Sequence, residues 1–451
     1  VSDVDERSGG APVRATGQGP GKVTAAVEWF VGSWRAMWVV LAVPAAFIIT
    51  GIAVWIAHGK MGVDSAVYRA GGIALLTGEP LYDKMTLLAE PWWAQLPFTY
   101  APSAALFFVP MALFPTTVSW GFLSATSVLA MSLVIRITLD KVPRRPSWLE
   151  PRRATVWFSV LMLGLEPVWR TLFLGQINLI LLVIVVVDVL VITTAGGRIG
   201  KWGGVLIGIA AAIKLTPLIF VAHLVLVGRR ASAVRAFATF VGLQGLMFAI
   251  SASDTWKYWT VTIVGDPARI GPVYWNGNQS LNGLINRITL LDPNSTKIAL
   301  AIGALLAIPA MLLVRRFHRH GRAVTALLVS AFFGLLFSPV TWTHHYVWVV
   351  PLLIMLIARM PDPLPQGVAR IARAAVAPLA VFVVFVSCIL LWMRGGFGRE
   401  LLWHWWEFIP GSAYMIVPVG AGIAIAIRVV RRRLRARAGD EQPRIAAGQS
   451  S

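Results

Sequence analysis

Apolar runs of about membrane-crossing length follow one another along the chain, separated by short polar stretches. Such runs cover about 36–57, 117–137, 177–194, 202–227, 235–251, 297–314, 323–338, 346–359, 374–393 and 412–430. Shorter ones at 101–115 and 154–168 bring the count to twelve. A helix needs about 20 apolar residues to cross a bilayer. Membrane strands would instead alternate apolar and polar positions in roughly ten-residue segments, and no such segment occurs. The pattern predicts an all-α, polytopic integral membrane protein with about 12 transmembrane helices. It divides into a disordered tail over 1–33, one membrane domain over 34–430 and a basic tail over 431–451. The first apolar run is too long for a signal-peptide core and reads as a retained span. The polar stretch 58–98 is long enough for a helix of its own, about 65–77, stopped by Gly78 and Pro80.

Composition supports this reading: 57% of the residues are hydrophobic and 13% charged, with mean hydropathy +0.71. The net charge of +20, from 40 basic and 20 acidic residues, falls largely in loops between runs. Retention of Lys and Arg on the cytoplasmic side explains it better than nucleic-acid binding does. Arg229, Arg230 and Arg235, then Arg315, Arg316, Arg319 and Arg322, then the Arg-rich tail become cytoplasmic under one assignment. That assignment puts 252–295, 338–345 and 394–411 outside, and a cytoplasmic N-terminus adds 58–98. Twelve crossings leave the basic loop 138–153 outside, against the rule. Ten crossings repair this if 101–115 and 154–168 are re-entrant. Cys388 is the one cysteine, so no internal disulfide or cysteine metal cluster is expected.

The polar motifs concentrate on the outer side. Asp64 and Tyr68 stand at i, i+4 and share a helix face, with Arg69 next. A carboxylate, a phenol and a guanidinium there could deprotonate a hydroxyl and hold an anion. A capping Asp on an interfacial helix is the plainer alternative. Lys214 lies deep in an apolar run, where an ammonium needs a partner or a cavity unless it snorkels. Trp275, Asn278 and Gln279 in a second outer loop combine amides with a flat apolar face, as a sugar site does. Trp342, His344 and His345 occupy a third. Adjacent histidines make a poor metal pair, and no carboxylate cluster accompanies them, so no metal and no cofactor are expected.

In order along the chain come Val63-Asp64, Val67-Tyr68-Arg69, Leu81-Tyr82, Phe98-Thr99-Tyr100-Ala101-Pro102 and Gly175-Gln176-Ile177-Asn178. Lys214-Leu215-Thr216-Pro217, Asn278-Gln279-Ser280-Leu281, Ser338-Pro339 and Trp342 with His344-His345 follow. This set resembles the actinobacterial polyprenol-phosphate-mannose-dependent alpha-1,2-mannosyltransferases of the GT-C superfamily, which include the phosphatidylinositol-mannoside mannosyltransferases. The family usually has two prolines where this chain has Ala101-Pro102. The resemblance implies a GT-C-like bundle, Asp64 as catalytic base and His344 or His345 assisting. Arg69, Lys214 and Tyr68 would then face the donor phosphate, and Asn278, Gln279, Trp275 and Trp342 the sugar or acceptor. The implied partners are a polyprenyl-phosphate-linked donor, a glycolipid or lipoglycan acceptor and membrane lipids. The implied location is the plasma membrane, with the site facing outward. Arabinofuranose transfer from a polyprenyl phosphate is a neighbouring alternative, and proton-coupled transport one from another class. The absence of an internal repeat speaks against transport.

Overall fold

The computed structural model describes residues 22–263, 269–425 and 427–428. The described chain is helical, and the strand-type pairing found within it is an isolated bridge between Asn278 and Trp342. In chain order the first helices are α1 (Lys22–Phe30), α2 (Trp34–Ile56), α3 (Val63–Thr77), α4 (Pro102–Phe108), α5 (Thr116–Lys141), α6 (Pro151–Leu161), α7 (Glu166–Leu174) and α8 (Asn178–Val187). After the single turn α9 (Gly197–Gly200) come α10 (Val205–Ile213), α11 (Ile219–Leu226) and α12 (Arg230–Ile250). Five described helices are long and apolar enough to cross a membrane: Trp34–Ile56, Thr116–Lys141, Arg230–Ile250, Ser295–Arg319 and Val368–Val386. Two bent pairs, one at 75° and one at 84°, raise that to seven. The protein is a multi-pass membrane protein.

α5 is the mast of the bundle, 72% buried over its apolar window, whereas α2 is 17% buried and faces outward. The two pack through small residues. A Cβ on Gly51 would lie 2.6 Å from the Thr117 carbonyl, and one on Gly121 2.8 Å from that of Phe47. Without a hydrophobic drive between helices in lipid, such close backbone approach supplies the attraction.

Contacts between distant segments sort the loops into two ends. At one end the Trp29 indole donates to Asp140 (3.2 Å), Arg136 Nε to the Trp29 carbonyl (2.8 Å) and Ser147 Oγ to Asp362 (2.8 Å). The basic loop 138–153 therefore shares an end with the N-terminal segment and with the turn near 362. α1 forms inside the stretch expected to be a disordered tail; residues 1–21 and the basic tail 431–451 lie outside the described residues. At the other end the Leu81 N–H donates to Asp254 (2.9 Å) and the Gln279 N–H to the Thr341 carbonyl (2.7 Å), which joins the three polar loops.

Two apolar runs depart from the expected spans. The run 101–115 becomes α4 and a 3-10 turn, Val109–Leu113, and both its ends meet the first polar loop, where Tyr82 donates to the Tyr100 carbonyl and Arg69 to that of Phe114. Pro102, Pro110 and Pro115 cut it too short to cross. The run 202–227 is a hairpin rather than a span. α10 runs alongside α12, with Gly204 against Ser232 and Gly208 against Ala236. α11 then returns along Ala323–Phe337, with Ile219 against Gly334 and His223 against Ser330 (2.8 Å). The turn is at Lys214, whose backbone is extended (φ −143°, ψ 131°). Pro217 has no N–H to give the carbonyl of Ile213, and its ring crowds that carbonyl. The base of the hairpin is held by the buried Asp188, which accepts from Gly204 N (2.7 Å) and Ile207 N (3.0 Å) at the start of α10. The tip thus carries Lys214 to the three-loop end.

Candidate active site

Asp64 occupies the second position of α3, after Gly62. A carboxylate there is favoured by the unsatisfied N–H groups of the first turn. Gly62 adopts φ 75°, and a Cβ on it would come within 2.4 Å of both Ser65 Oγ and the Trp120 ring. Gly175, which ends α7 at φ 70°, presses on the same two side chains from the other side, with Ser65 Oγ 2.5 Å from a built Cβ. The Trp120 indole donates to the Leu172 carbonyl (2.7 Å). Trp120 therefore locks the start of α3 to the end of α7, and this lock brings Gln176 to Asp64. A side chain at either glycine would wedge the lock open.

Gln176 is the hub. Its Oε1 accepts from the Tyr68 hydroxyl (2.7 Å) and more distantly from Tyr100 (3.3 Å), and the two hydroxyls lie 2.6 Å apart. Gln176 also hydrogen-bonds Asp64. Tyr68 is held in place by stacking on Phe108, with centroids 4.5 Å apart and planes within 8°. Asp64 itself is half-buried. Burial raises its carboxyl to about 6, opposed by the Gln176 hydrogen bond and by the charges of Lys214 and Arg170. A base with that affinity is ionised near neutral pH and still accepts a proton readily.

Lys214 reaches the site from the hairpin tip. Its Nζ donates to Asn178 Oδ1 (3.1 Å), lies 2.9 Å from His345 Nε2 and sits 5.7 Å from the centre of the Tyr100 ring. It is a placed cation rather than one extended to the membrane surface. A cavity of about 60 Å³ opens beside it, lined by Asn178, His345, Leu182, Phe220, Leu335 and Trp348 among others. The two histidines differ. His345 is used by the protein, with Nδ1 accepting from the Trp342 N–H (3.2 Å) and Nε2 against Lys214. His344 is 7% exposed, and both of its ring nitrogens are buried without a partner among the described residues. Its backbone carbonyl is gripped by Asn178 Nδ2 (3.1 Å) and Thr171 Oγ1 (3.3 Å), which fixes the backbone at that position.

The remaining sequence candidates fall into place unevenly. Arg69 turns away from Asp64: its Nε donates to the Phe114 carbonyl (2.7 Å). Five residues along a helix is a rotation of about 140°. Asn278 spends its amide on its own chain, with Nδ2 to Val273 O (2.8 Å) and Oδ1 accepting from Thr341 N (2.9 Å). Gln279 donates to the carbonyls of Asn276 (2.7 Å) and Gly411 (2.8 Å). The Asn278 amide thus staples this loop to the one around Thr341, and the Gln279 amide ties it to the segment at Gly411. Trp275 and Trp342 pair with ring centroids 6.0 Å apart, and Trp275 remains 41% exposed. Sequence reasoning left Gln176, Asn178, Tyr100, Glu166 and Arg170 without roles. For Glu166 the signal available was an ionisable residue within an apolar run, and for Arg170 a cation in the short break between two runs.

Comparison with known proteins identifies the family of the chain. Residues 98–339 match Glycosyltransferase family 87. The chain is 30% identical over 417 residues to the polyprenol-phosphate-mannose-dependent alpha-(1-2)-phosphatidylinositol mannoside mannosyltransferase of Mycobacterium tuberculosis (strain ATCC 25618 / H37Rv), covering 89% of this chain and 93% of the relative. Its counterpart from Mycolicibacterium smegmatis (strain ATCC 700084 / mc(2)155) is 34% identical over 314 residues, 65% of this chain and 69% of the relative. The pentamannoside mannosyltransferase of Mycobacterium tuberculosis (strain CDC 1551 / Oshkosh) is 30% identical, with 84% of each chain covered. Among solved structures, apo ArnT from Cupriavidus metallidurans aligns over 86% of this chain and 77% of its own at 14% identity and a TM-score of 0.36, too slight a likeness to carry positions across. On the family match and the full-length identities, the chain belongs to glycosyltransferase family 87.

Proposed function

We propose that the protein transfers mannose from a polyprenyl-phosphate donor to a glycolipid or lipoglycan acceptor, forming an alpha-1,2 linkage at the outer face of the plasma membrane. The observation that carries this reading is the convergence of a half-buried carboxylate, Asp64, with a placed cation, Lys214, where the three polar loops meet. The acceptor hydroxyl attacks the anomeric carbon as Asp64 takes its proton. The bond from that carbon to the phosphate oxygen breaks, and its electron pair leaves with the polyprenyl phosphate. The transition state is oxocarbenium-like, and a single displacement inverts the centre. Lys214 faces the charge that grows on the leaving phosphate. His344 offers its unpartnered ring to a substrate oxygen, and Trp275 with Trp342 offers an apolar face to the sugar. His345 and Tyr68 hold the machinery in place, through Lys214 and Gln176.

The two ends of the bundle suit this orientation. With 138–153 beside the N-terminal segment, the arginine-rich loops share the cytoplasmic side. The α10–α11 hairpin and the run 101–115 then do not cross, which leaves ten crossings. Purified protein given labelled polyprenyl-phosphate mannose and phosphatidylinositol mannosides should form an alpha-1,2-linked product. No product with any mannosylated acceptor, or arabinose transfer instead, would overturn the reading.

A further inference from the structure

Glu166 is the most deeply buried carboxylate near the site, at 1% exposure. It is fully occupied: Oε1 accepts from Thr343 Oγ1 (2.8 Å) and Arg170 Nη1 (3.2 Å), and Oε2 from the Tyr414 hydroxyl (2.9 Å). Arg170 is its opposite. One nitrogen is tied to Glu166, no other hydrogen bond joins its guanidinium to a described residue, and its side chain is 33% exposed. Its helix, α7, is packed on the turn that carries His344 and is locked to the start of α3 through Trp120. Arg170 is close enough to act electrostatically on Asp64. A buried ion pair is a poor source of stability in itself. One that fixes a guanidinium by a single nitrogen and leaves its other donors accessible beside a site holds an arginine ready for an anion.

We infer that Arg170, oriented by Glu166, is a second binding residue, with Lys214, for the phosphate of a lipid substrate, and that this phosphate is the donor's. The inference rests on the transfer reading above. A sugar phosphodiester carries one negative charge. When the bond to the anomeric carbon breaks, the departing monoester carries one more. One cation matches the bound donor, and the second matches the charge that appears on departure. Lys214 acts as a point charge and Arg170 as a planar fork suited to two phosphate oxygens. Glu166 is a positioning residue. Its contacts with Thr343 and Tyr414 tie the arginine to the loop of His344, so cation and histidine keep one geometry.

The test uses the purified full chain and binding rather than turnover. Polyprenyl phosphate and the polyprenol of equal chain length are titrated against the parent, Arg170→Gln, Arg170→Lys and Glu166→Gln. The parent should prefer the phosphate. Arg170→Gln should lose about tenfold or more of that preference while alcohol binding is unchanged, as expected for loss of a charge-assisted bidentate contact. Arg170→Lys should recover part of the preference, and Glu166→Gln should lose part of it with alcohol binding intact. An unaltered preference in Arg170→Gln overturns the inference. In the parent itself, polyprenyl phosphate should protect Arg170 from an arginine-specific dicarbonyl reagent, read by mass spectrometry, and polyprenol should not. That arm stands even where a variant does not fold. Protection by phosphatidylinositol alone would move the contact to the acceptor and overturn the donor assignment. A parent that does not bind polyprenyl phosphate at all would sink the transfer reading itself. Binding that is indifferent to Arg170 sinks only the present inference.

Discussion

The two ends of this bundle handle charge in opposite ways. Around the site at the three-loop end the ionisable groups are held by named neighbours: Asp64 by Gln176, Lys214 by Asn178 and His345, Glu166 by Thr343, Tyr414 and Arg170. At the opposite end Arg35, Arg144, Arg152 and Arg153 are exposed. For these exposed arginines the amount of positive charge matters, and one can stand in for another. At the site it is position that matters, because a charge removed from water is worth whatever its immediate partners make it worth.

Substitutions at the two ends should therefore differ by orders of magnitude. The largest effect is expected at Asp64. Asp64→Asn keeps the shape and the helix start but cannot take a proton, so mannose transfer should fall by roughly 10²–10⁴-fold with folding intact. A helix cap would tolerate the same change almost silently, since Asn caps about as well as Asp. Near-parental transfer by monodisperse Asp64→Asn returns Asp64 to that lesser role. Next comes Gly175→Ala. The left-handed backbone and the close approach of Ser65 and Trp120 make a cost of about 1–3 kcal/mol the expectation. It should appear as lowered thermal stability together with lost transfer, because the lock that aligns Gln176 is disturbed. Parental stability and activity would show that the lock is not needed.

A smaller effect follows from the Asp64 carboxyl at about 6. Only the ionised form is a base, so transfer should be low in acid and rise with pH, with a midpoint near that value. Stability should run the other way. The folded state binds this proton more tightly than the unfolded chain does, so this group's contribution falls as pH rises from about 4 to about 6. An acidic limb that stays unchanged in Asp64→Asn would assign it to another group. The smallest effect is expected at the opposite end. Arg35→Gln or Arg144→Gln alone should leave transfer within about twofold, surface changes usually costing under roughly 0.5 kcal/mol. Single cysteines at positions 60 and 144, both exposed, in a Cys388→Ser background should label from opposite faces with an impermeant reagent. Labelling of both from one face breaks the comparison at its root.

Local pattern alone determined that this is a helical membrane protein with most of its polar motifs in the loops between apolar runs. Burial in lipid requires long apolar runs, and retained cations mark one side of them. The motif order was also enough to identify the family, because residue types at fixed separations survive where overall identity does not. Asp64 and Tyr68 were legible as partners because helical spacing puts them on one face. Three things needed the tertiary structure. The run 202–227 reads as a span by hydropathy, yet Pro217 and the contacts of α10 and α11 with different helices fold it into a hairpin. Arg69 adjoins Asp64's face in sequence but is turned off it by helical rotation. Arg170, Gln176 and Glu166 look like polar interruptions of an apolar stretch until α7 bends by 75° from its predecessor and brings them to the site. Each is a question of which distant surfaces meet. Hydropathy and spacing report what a segment can bury, and only packing decides against which partner it is buried.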